Sequence, residues 1–193
     1  GGGFAQKGKD IRSTLRIDLE DSLQGINRSI NINIPHKDAY GRVQHETKNI
    51  SVKIPQGIQS GQTIRLAGKG GAGIGQAPAG DLLLDIEIKP HRYYELEGKD
   101  ITLNLPIAPW EAALGTKITV PTPEGKQVEM KVPANSQQGR KLRLKGRGLP
   151  SKVAGDFYIV LTIALPSSDD PDAKALYEAM QQRINFNPRD GLF

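Results

Sequence analysis

Apolar and polar residues alternate from the start of the ordered sequence. Ile11, Leu15, Ile17 and Leu19 fall on one side, and Arg12, Thr14, Arg16 and Asp18 fall on the other. This is the period of a half-buried strand, with Ser13 interrupting its apolar face. Leu19 to Leu23 predicts a short connector of about one helical turn, ended by Gly25. Ile26, Ile30, Ile32 and Ile34 predict a second strand, with Asn31 and Asn33 on its other face. Residues 35–47 are polar and turn-like, with Tyr40-Gly41 near the tip. Strands resume at 50–54, 63–66 and 82–88, with 70–80 expected as a mobile loop and 89–98 as a linker. Five more are predicted at 101–105, 117–120, 128–132, 141–144 and 157–165, with Trp110 in a connector.

The last segment changes period. Asp169 or Asp170 before Pro171 suits a helix N-cap followed by proline at the first helical position. Over 171–182, Ala175, Leu176, Ala179 and Met180 form an apolar stripe, while Asp172, Lys174, Glu178 and Gln181 are polar. A helix this short is marginal alone and needs a surface to bury its stripe. Leu176, Tyr177 and Met180 are therefore the candidate contacts of a homodimer.

The strand pattern occurs twice. Val52-Lys53-Ile54-Pro55, Gly61, Ile64-Arg65-Leu66, Gly68-Lys69-Gly70 and Gly80-Asp81 return as Met130-Lys131-Val132-Pro133, Gly139, Leu142-Arg143-Leu144, Gly146-Arg147-Gly148 and Gly155-Asp156. Asp10-Ile11 and Gly25 return as Asp100-Ile101 and Gly115 at a constant spacing of 90. The chain is expected to be all-β: two tandem duplicated β-sandwich domains plus a short C-terminal helix. Its expected divisions are 1–9 as the end of a glycine/phenylalanine-rich linker, 10–94 as domain I, 95–166 as domain II and 167–193 as the dimerisation segment. A duplicated binding module explains this repetition better than a catalytic domain does.

Composition agrees with this architecture. With 22 Gly and 13 Pro in 193 residues and only 5% aromatics, short strands joined by turns are favoured over helices. The absence of cysteine excludes disulfides, thiolate metal sites and a cysteine nucleophile. No run of about 18 apolar residues occurs and no signal peptide opens the chain, so a soluble, cytoplasmic protein is expected. The net charge of +5 favours acidic partners. Its densest basic run is Arg140, Lys141, Arg143, Lys145 and Arg147. A solvated strand face is the simpler reading of that run. Contact with duplex DNA through Lys7, Lys9, Arg143 and Lys145 is the sharper one.

Catalytic signatures are missing. There is no phosphate-binding G-x-x-x-x-G-K-[ST], no H-E-x-x-H and no G-x-S-x-G. His36, His45 and His91 lack the spacing of a shared metal site and read as surface or turn histidines, and Gly68-Lys69-Gly70 reads as a glycine turn with positive φ. Asp81 and Asp156 hold one place in two repeats, which favours a repeated turn hydrogen bond over acid–base work. No enzyme activity, cofactor or metal is expected. Most apolar strand faces are core, but an exposed groove lined by Leu15, Ile30 and Ile32 would accept an extended apolar peptide, with Arg28 adding a charge at its end.

Leu19-Glu20-Asp21-Ser22-Leu23-Gln24-Gly25, Val52-Lys53-Ile54-Pro55, Ile64-Arg65-Leu66-Ala67-Gly68-Lys69-Gly70, Gly80-Asp81-Leu82 and their repeats resemble the C-terminal region of J-domain co-chaperones, the DnaJ family. Ala108-Pro109-Trp110-Glu111-Ala112-Ala113-Leu114-Gly115 and Phe186-Asn187-Pro188-Arg189 are most similar to its bacterial curved-DNA-binding branch. The resemblance implies two substrate-binding β-sandwiches, a C-terminal dimerisation segment, unfolded polypeptides as clients and a DnaK-type chaperone as partner. It also implies nucleoid association beside the cytoplasmic location. The cysteine-rich zinc module of the family is absent, which marks the zinc-free class. No His-Pro-Asp triplet occurs, so a J domain is expected to lie before Gly1 in a longer protein. By similarity, Leu15, Ile30, Ile32 and Leu84 fall on the peptide groove, and Arg28 and Lys48 fall near cations that engage the acidic tail of the partner chaperone.

Overall fold

The computed structural model describes residues 3–192. The linker expectation at Gly1 and Gly2, and Phe193 at the end of the dimerisation segment, lie outside the described residues. The first copy of the repeat forms β1 (Ile11–Ile17), α1 (Leu19–Gln24), β2 (Ile26–Lys37), β3 (Val43–Ile54), β4 (Thr63–Leu66) and β5 (Leu82–Ile88). The second forms β6 (Tyr94–Glu97), β7 (Asp100–Ile107), α2 (Pro109–Leu114), β8 (Thr116–Pro121), β9 (Gln127–Val132), β10 (Lys141–Leu144) and β11 (Phe157–Ile163), followed by α3 (Pro171–Arg183).

The order strand, one-and-a-half-turn helix, hairpin, strand, strand is thus used twice, with β6 as an additional strand ahead of the second. In the first copy β5 lies between β1, to which it is parallel, and β4, to which it is antiparallel, while β2 and β3 make a separate hairpin. In the second, the sheet order is β10-β11-β7-β6 and β8 pairs with β9. The fold is mostly β, as the alternation predicts.

The chain divides into two compact units. One contains residues up to Asn104 with Thr119–Val128 and Lys141–Val160; the other contains Leu105–Ile118, Glu129–Arg140 and the chain from Leu161 on. In the first unit Ile17, Val52, Ile54, Leu82 and Leu84 come together from β1, β3 and β5 as a buried cluster. Each such side chain contributes about 1.5–3 kcal/mol by leaving water. Ile101, Phe157 and Ile159 are equally buried.

In the second unit, Asn135 takes a left-handed φ of 59° and donates its backbone N–H to the Ala113 carbonyl, while Ser136 donates to that of Ala112. Asp170 caps α3 by accepting from the Asp172 amide at 2.9 Å, with Pro171 in the first turn. The Tyr177 hydroxyl donates to the Pro166 carbonyl at 2.8 Å. No residue of α3 is buried within this chain.

A paired turn is built identically in both copies. The Asp81 carboxylate accepts the Gly68 amide at 3.0 Å and the Arg65 guanidinium at 2.6 Å; Asp156 accepts Gly146 at 2.8 Å and Arg143 at 2.8 Å. Gly68 and Gly146 have φ of 70° and 73°, the left-handed region that favours glycine. The amides of Asp81 and Asp156 donate in turn to the carboxylates of Asp10 and Asp100. The repeated aspartates therefore organise turns, as their repetition suggests.

Three sequence expectations are corrected. Residues 35–47 are not a broad turn: β2 continues to Lys37 and β3 starts at Val43, leaving only 38–42 as the turn. The ribbon is held by its ladder and by cross-strand bonds from Thr47 to Asn33 and Asn49 to Asn31, with Pro35 tolerated because β2 is an edge strand. The linker at 89–98 contains β6, antiparallel to β7. Trp110 lies in α2, not in a connector.

Candidate functional site

Among the described residues β1 and β2 each have one partnered edge: β1 is the end strand of its sheet and β2 pairs only with β3. Between them runs a groove of about 350 Å³ whose walls include Leu15 from β1 and Ile30 and Ile32 from β2. Leu84, 1% exposed, lines its floor. Alternation places Ile11, Ser13 and Leu15 on the groove face of β1, all half-buried. Leu15, Ile30 and Ile32 pack against the Ile17–Leu84 core cluster and also line the groove.

The two expected cations differ. Lys48 pairs directly with Ile32 in the hairpin register, so it shares the face that carries Ile32, and it is exposed. Arg28 is held within the fold: Nη1 donates to the Arg16 carbonyl at 3.2 Å and lies 3.8 Å from the Asp21 carboxylate. It ties the end of β1 to β2 and α1.

The expected DNA contacts separate similarly. Lys7, Lys9 and Lys145 are exposed. Lys7 lies close enough to Asp81, and Lys145 to Asp156, to help hold those carboxyls ionised, which places one cation at each copy of the repeated turn. Arg143 is bound to Asp156. Of the dimerisation candidates, Leu176 and Met180 are 67% and 57% exposed, while Tyr177 is half-buried with its hydroxyl bonded within the chain.

Sequence reasoning left His91 as a surface or turn histidine. Its Nδ1 accepts the amides of Tyr93 and Tyr94 at 3.0 and 3.2 Å, and its Nε2 lies 2.8 Å from the Glu20 carboxylate. Two amides on Nδ1 leave the ring proton on Nε2, facing Glu20. Burial raises the Tyr94 phenol above its ordinary value, with the Glu20 charge adding to the effect. His91 thus joins α1 to the start of β6. No group of histidines and carboxylates among the described residues is arranged to hold a metal ion.

The sequence profile of the DnaJ C terminal domain matches residues 11–166, from the first residue of β1 to beyond β11. The chain belongs to the DnaJ C-terminal domain family. Among curated proteins it is similar to the "Curved DNA-binding protein" of Coxiella burnetii (strain Dugway 5J108-111), 44% identical over 98% of this chain. The proteins of the same name from Escherichia fergusonii and Pseudomonas syringae pv. tomato are 43% and 40% identical over 96% and 95% of it. The chain spans 60%, 61% and 59% of the lengths of these three relatives. The DnaJ C-terminal match includes both copies of the turn and both walls of the groove. No helix among the described residues is long and apolar enough to cross a membrane.

Proposed function

We propose that residues 10–94 form a client-binding domain that captures unfolded polypeptide in the groove between β1 and β2, and that the protein acts as a co-chaperone in the bacterial cytoplasm. The observation that carries this reading is a channel bounded by two strand edges, in which half-buried Leu15, Ile30 and Ile32 line the walls together with polar Arg12, Thr14, Asn31 and Asn33. An extended segment entering it gains main-chain hydrogen bonds from a free edge and buries alternate side chains against those residues. Residues 95–166 form the second domain in this reading and 167–193 the dimerisation segment. In this reading exposed Lys48, opposite Ile32, and half-buried Arg28, on the same face of the hairpin, supply positive charge for the acidic tail of a DnaK-type chaperone that receives the client.

The test is Ile30→Ser with Ile32→Ser. Because both side chains also touch the core, the thermal melt is recorded alongside binding of a reduced, carboxymethylated protein that cannot refold. The expected result is a folded variant with at least about tenfold weaker client binding, because two aliphatic side chains no longer line the wall. Unchanged affinity in the folded variant removes the groove from the account.

A second reading is supported by the exposed Lys7, Lys9 and Lys145 and by the name of the similar proteins, "Curved DNA-binding protein". We propose that the same chain binds duplex DNA through phosphate contacts, with preference for curved DNA arising from shape, and associates with the nucleoid through that activity.

A further inference from the structure

Ser13 is the one groove position of β1 whose residue type the fold does not explain. It pairs in register with buried Leu84, lies between Ile11 and Leu15 on the same face, and is half-buried in the lining of the groove. The internal repeat supplies a control. At the constant spacing of 90, Ile11, Ser13, Leu15 and Ile17 correspond to Ile101, Leu103, Leu105 and Ile107. Leu103 is 6% exposed. Leucine stands at this strand position in the second copy, where β7 is also paired with β6, and in the first copy a hydroxyl stands there beside the free edge of β1. Among the side-chain hydrogen bonds of the described residues, from Arg12 with Asp85 to Thr63 with Asp85 on the neighbouring strands, none involves the Ser13 hydroxyl. The Ser13 hydroxyl has no protein partner and is not shut off from solvent, so a bound segment that displaces its water must supply the replacement hydrogen bond.

We propose that Ser13 is a specificity-determining residue of the groove. It selects extended segments that carry serine or threonine between two apolar residues, in the order apolar, any, hydroxyl, any, apolar. This rests on the peptide-binding reading above and names the class of segment taken. The spacing follows from strand geometry. Side chains two apart on an extended segment lie about 7 Å apart on one face, which matches the repeat of Ile11, Ser13 and Leu15. A bound strand therefore sets its apolar residues against Ile11 and Leu15 while its central side chain faces Ser13. A central hydroxyl pairs with the Ser13 hydroxyl, whereas a central valine leaves that group desolvated and unpaired.

The experiment is a two-by-two titration of the whole chain. Two synthetic peptides share the core Leu-Thr-X-Thr-Leu, with X either serine or valine, and each is titrated into the wild type and into Ser13→Val. Ser13→Ala repeats the measurement in case the valine variant does not fold. Wild type is expected to bind the serine peptide about threefold to tenfold more tightly than the valine peptide, and Ser13→Val to reverse the order. The same preference in both proteins overturns the role of Ser13 while leaving the groove in place. Failure of wild type to bind either peptide overturns the groove reading and this inference with it.

Discussion

Arg143 and Asp156 are locked together. Nε and Nη2 of the arginine both reach Oδ2 of the aspartate, at 2.8 and 2.6 Å, leaving Oδ1 to accept the Gly146 amide. Arg65 and Asp81 repeat the arrangement at 2.6 and 2.5 Å, with the Gly68 amide on the other oxygen. Each carboxylate so joins a strand to the left-handed glycine turn after it, and the Asp10 or Asp100 carboxylate receives its backbone amide. A charge placed to close a turn is already committed before any ligand arrives.

These turns contribute to the acid sensitivity of the fold, as does Asp38, whose carboxyl the Arg42 amide also holds low. The Gly68 amide above all, then the Arg65 guanidinium, holds the Asp81 carboxyl below the ordinary aspartate value of 3.8. The Gly146 amide, then Arg143, does the same for Asp156. A carboxyl depressed in the folded state contributes stability that is fully present above its unfolded value and is lost as pH falls through the folded value. The urea midpoint is therefore expected to be flat in this respect near neutrality and to fall below about pH 4. Asp81→Asn with Asp156→Asn should lower the midpoint at pH 7 and flatten the acid decline. An unchanged decline in that variant would place the acid sensitivity elsewhere.

The same pairing divides the basic residues into two kinds. Charge removal at Lys7, Lys9 and Lys145, which are exposed, is expected to weaken duplex DNA binding uniformly across sequences and to reduce its salt dependence. The logarithmic salt slope should fall by roughly 0.9 for each phosphate that the variant no longer neutralises. Arg143→Gln should instead lower the melting temperature, because it opens the Asp156 turn. Mobility shifts over a range of salt, run beside thermal melts, separate the two. An Arg143→Gln variant of normal stability with weakened DNA binding would show that the arginine exchanges Asp156 for phosphate.

The sequence made the strands legible wherever one face meets the core, because there alternation has a physical cause. It failed where neither face does. The outer part of the β2–β3 ribbon is exposed on both sides from Pro35 to Lys37 and from Val43 to Asn49, so Pro35, His36 and Lys37 show no period although their backbone is in ladder register. α2 was missed for another reason. Pro109 in the first turn and the Glu111 carboxylate accepting the Ala108 amide at 2.9 Å are start signals that Pro-x-Glu displays in sequence, but the run to Gly115 is too short for a helical period to register. Within the groove, the parity of Leu15, Ile30 and Ile32 was readable. The engagement of Arg28 with the Arg16 carbonyl was not, because it depends on the packing of β1 beside β2.

Ser22 offers a test of the packing beneath α1. Its hydroxyl is fully buried and donates to the Ile58 carbonyl at 2.5 Å, and its own carbonyl accepts the Gly57 amide at 2.7 Å. The second copy has Ala112 at the equivalent position, and there Ser136 donates its hydroxyl to the Pro133 carbonyl instead. Ser22→Ala leaves the Ile58 carbonyl without that donor, so a loss of about 1–3 kcal/mol in unfolding free energy is expected from urea titration. A loss indistinguishable from zero would mean that the carbonyl finds water when the hydroxyl is removed.

The proposed dimer is tested at α3. Thirteen residues make a helix too short to persist alone, and none of them is buried within the chain, although Asp170 caps its start and Tyr177 anchors it to Pro166. Leu176 and Met180, one turn apart, are 67% and 57% exposed. Such a stripe is expected to be covered by a second copy, and two client grooves on one assembly would then hold a single polypeptide at raised effective concentration. Sedimentation should show a dimer at tens of micromolar, roughly, and Leu176→Ala with Met180→Ala should shift it to monomer. Client binding by the monomeric variant should weaken for long unfolded chains and stay unchanged for a short peptide that fills one groove. Equal loss for both ligands would mean that α3 supports the groove itself, and a monomeric wild type would remove the dimer from the proposal.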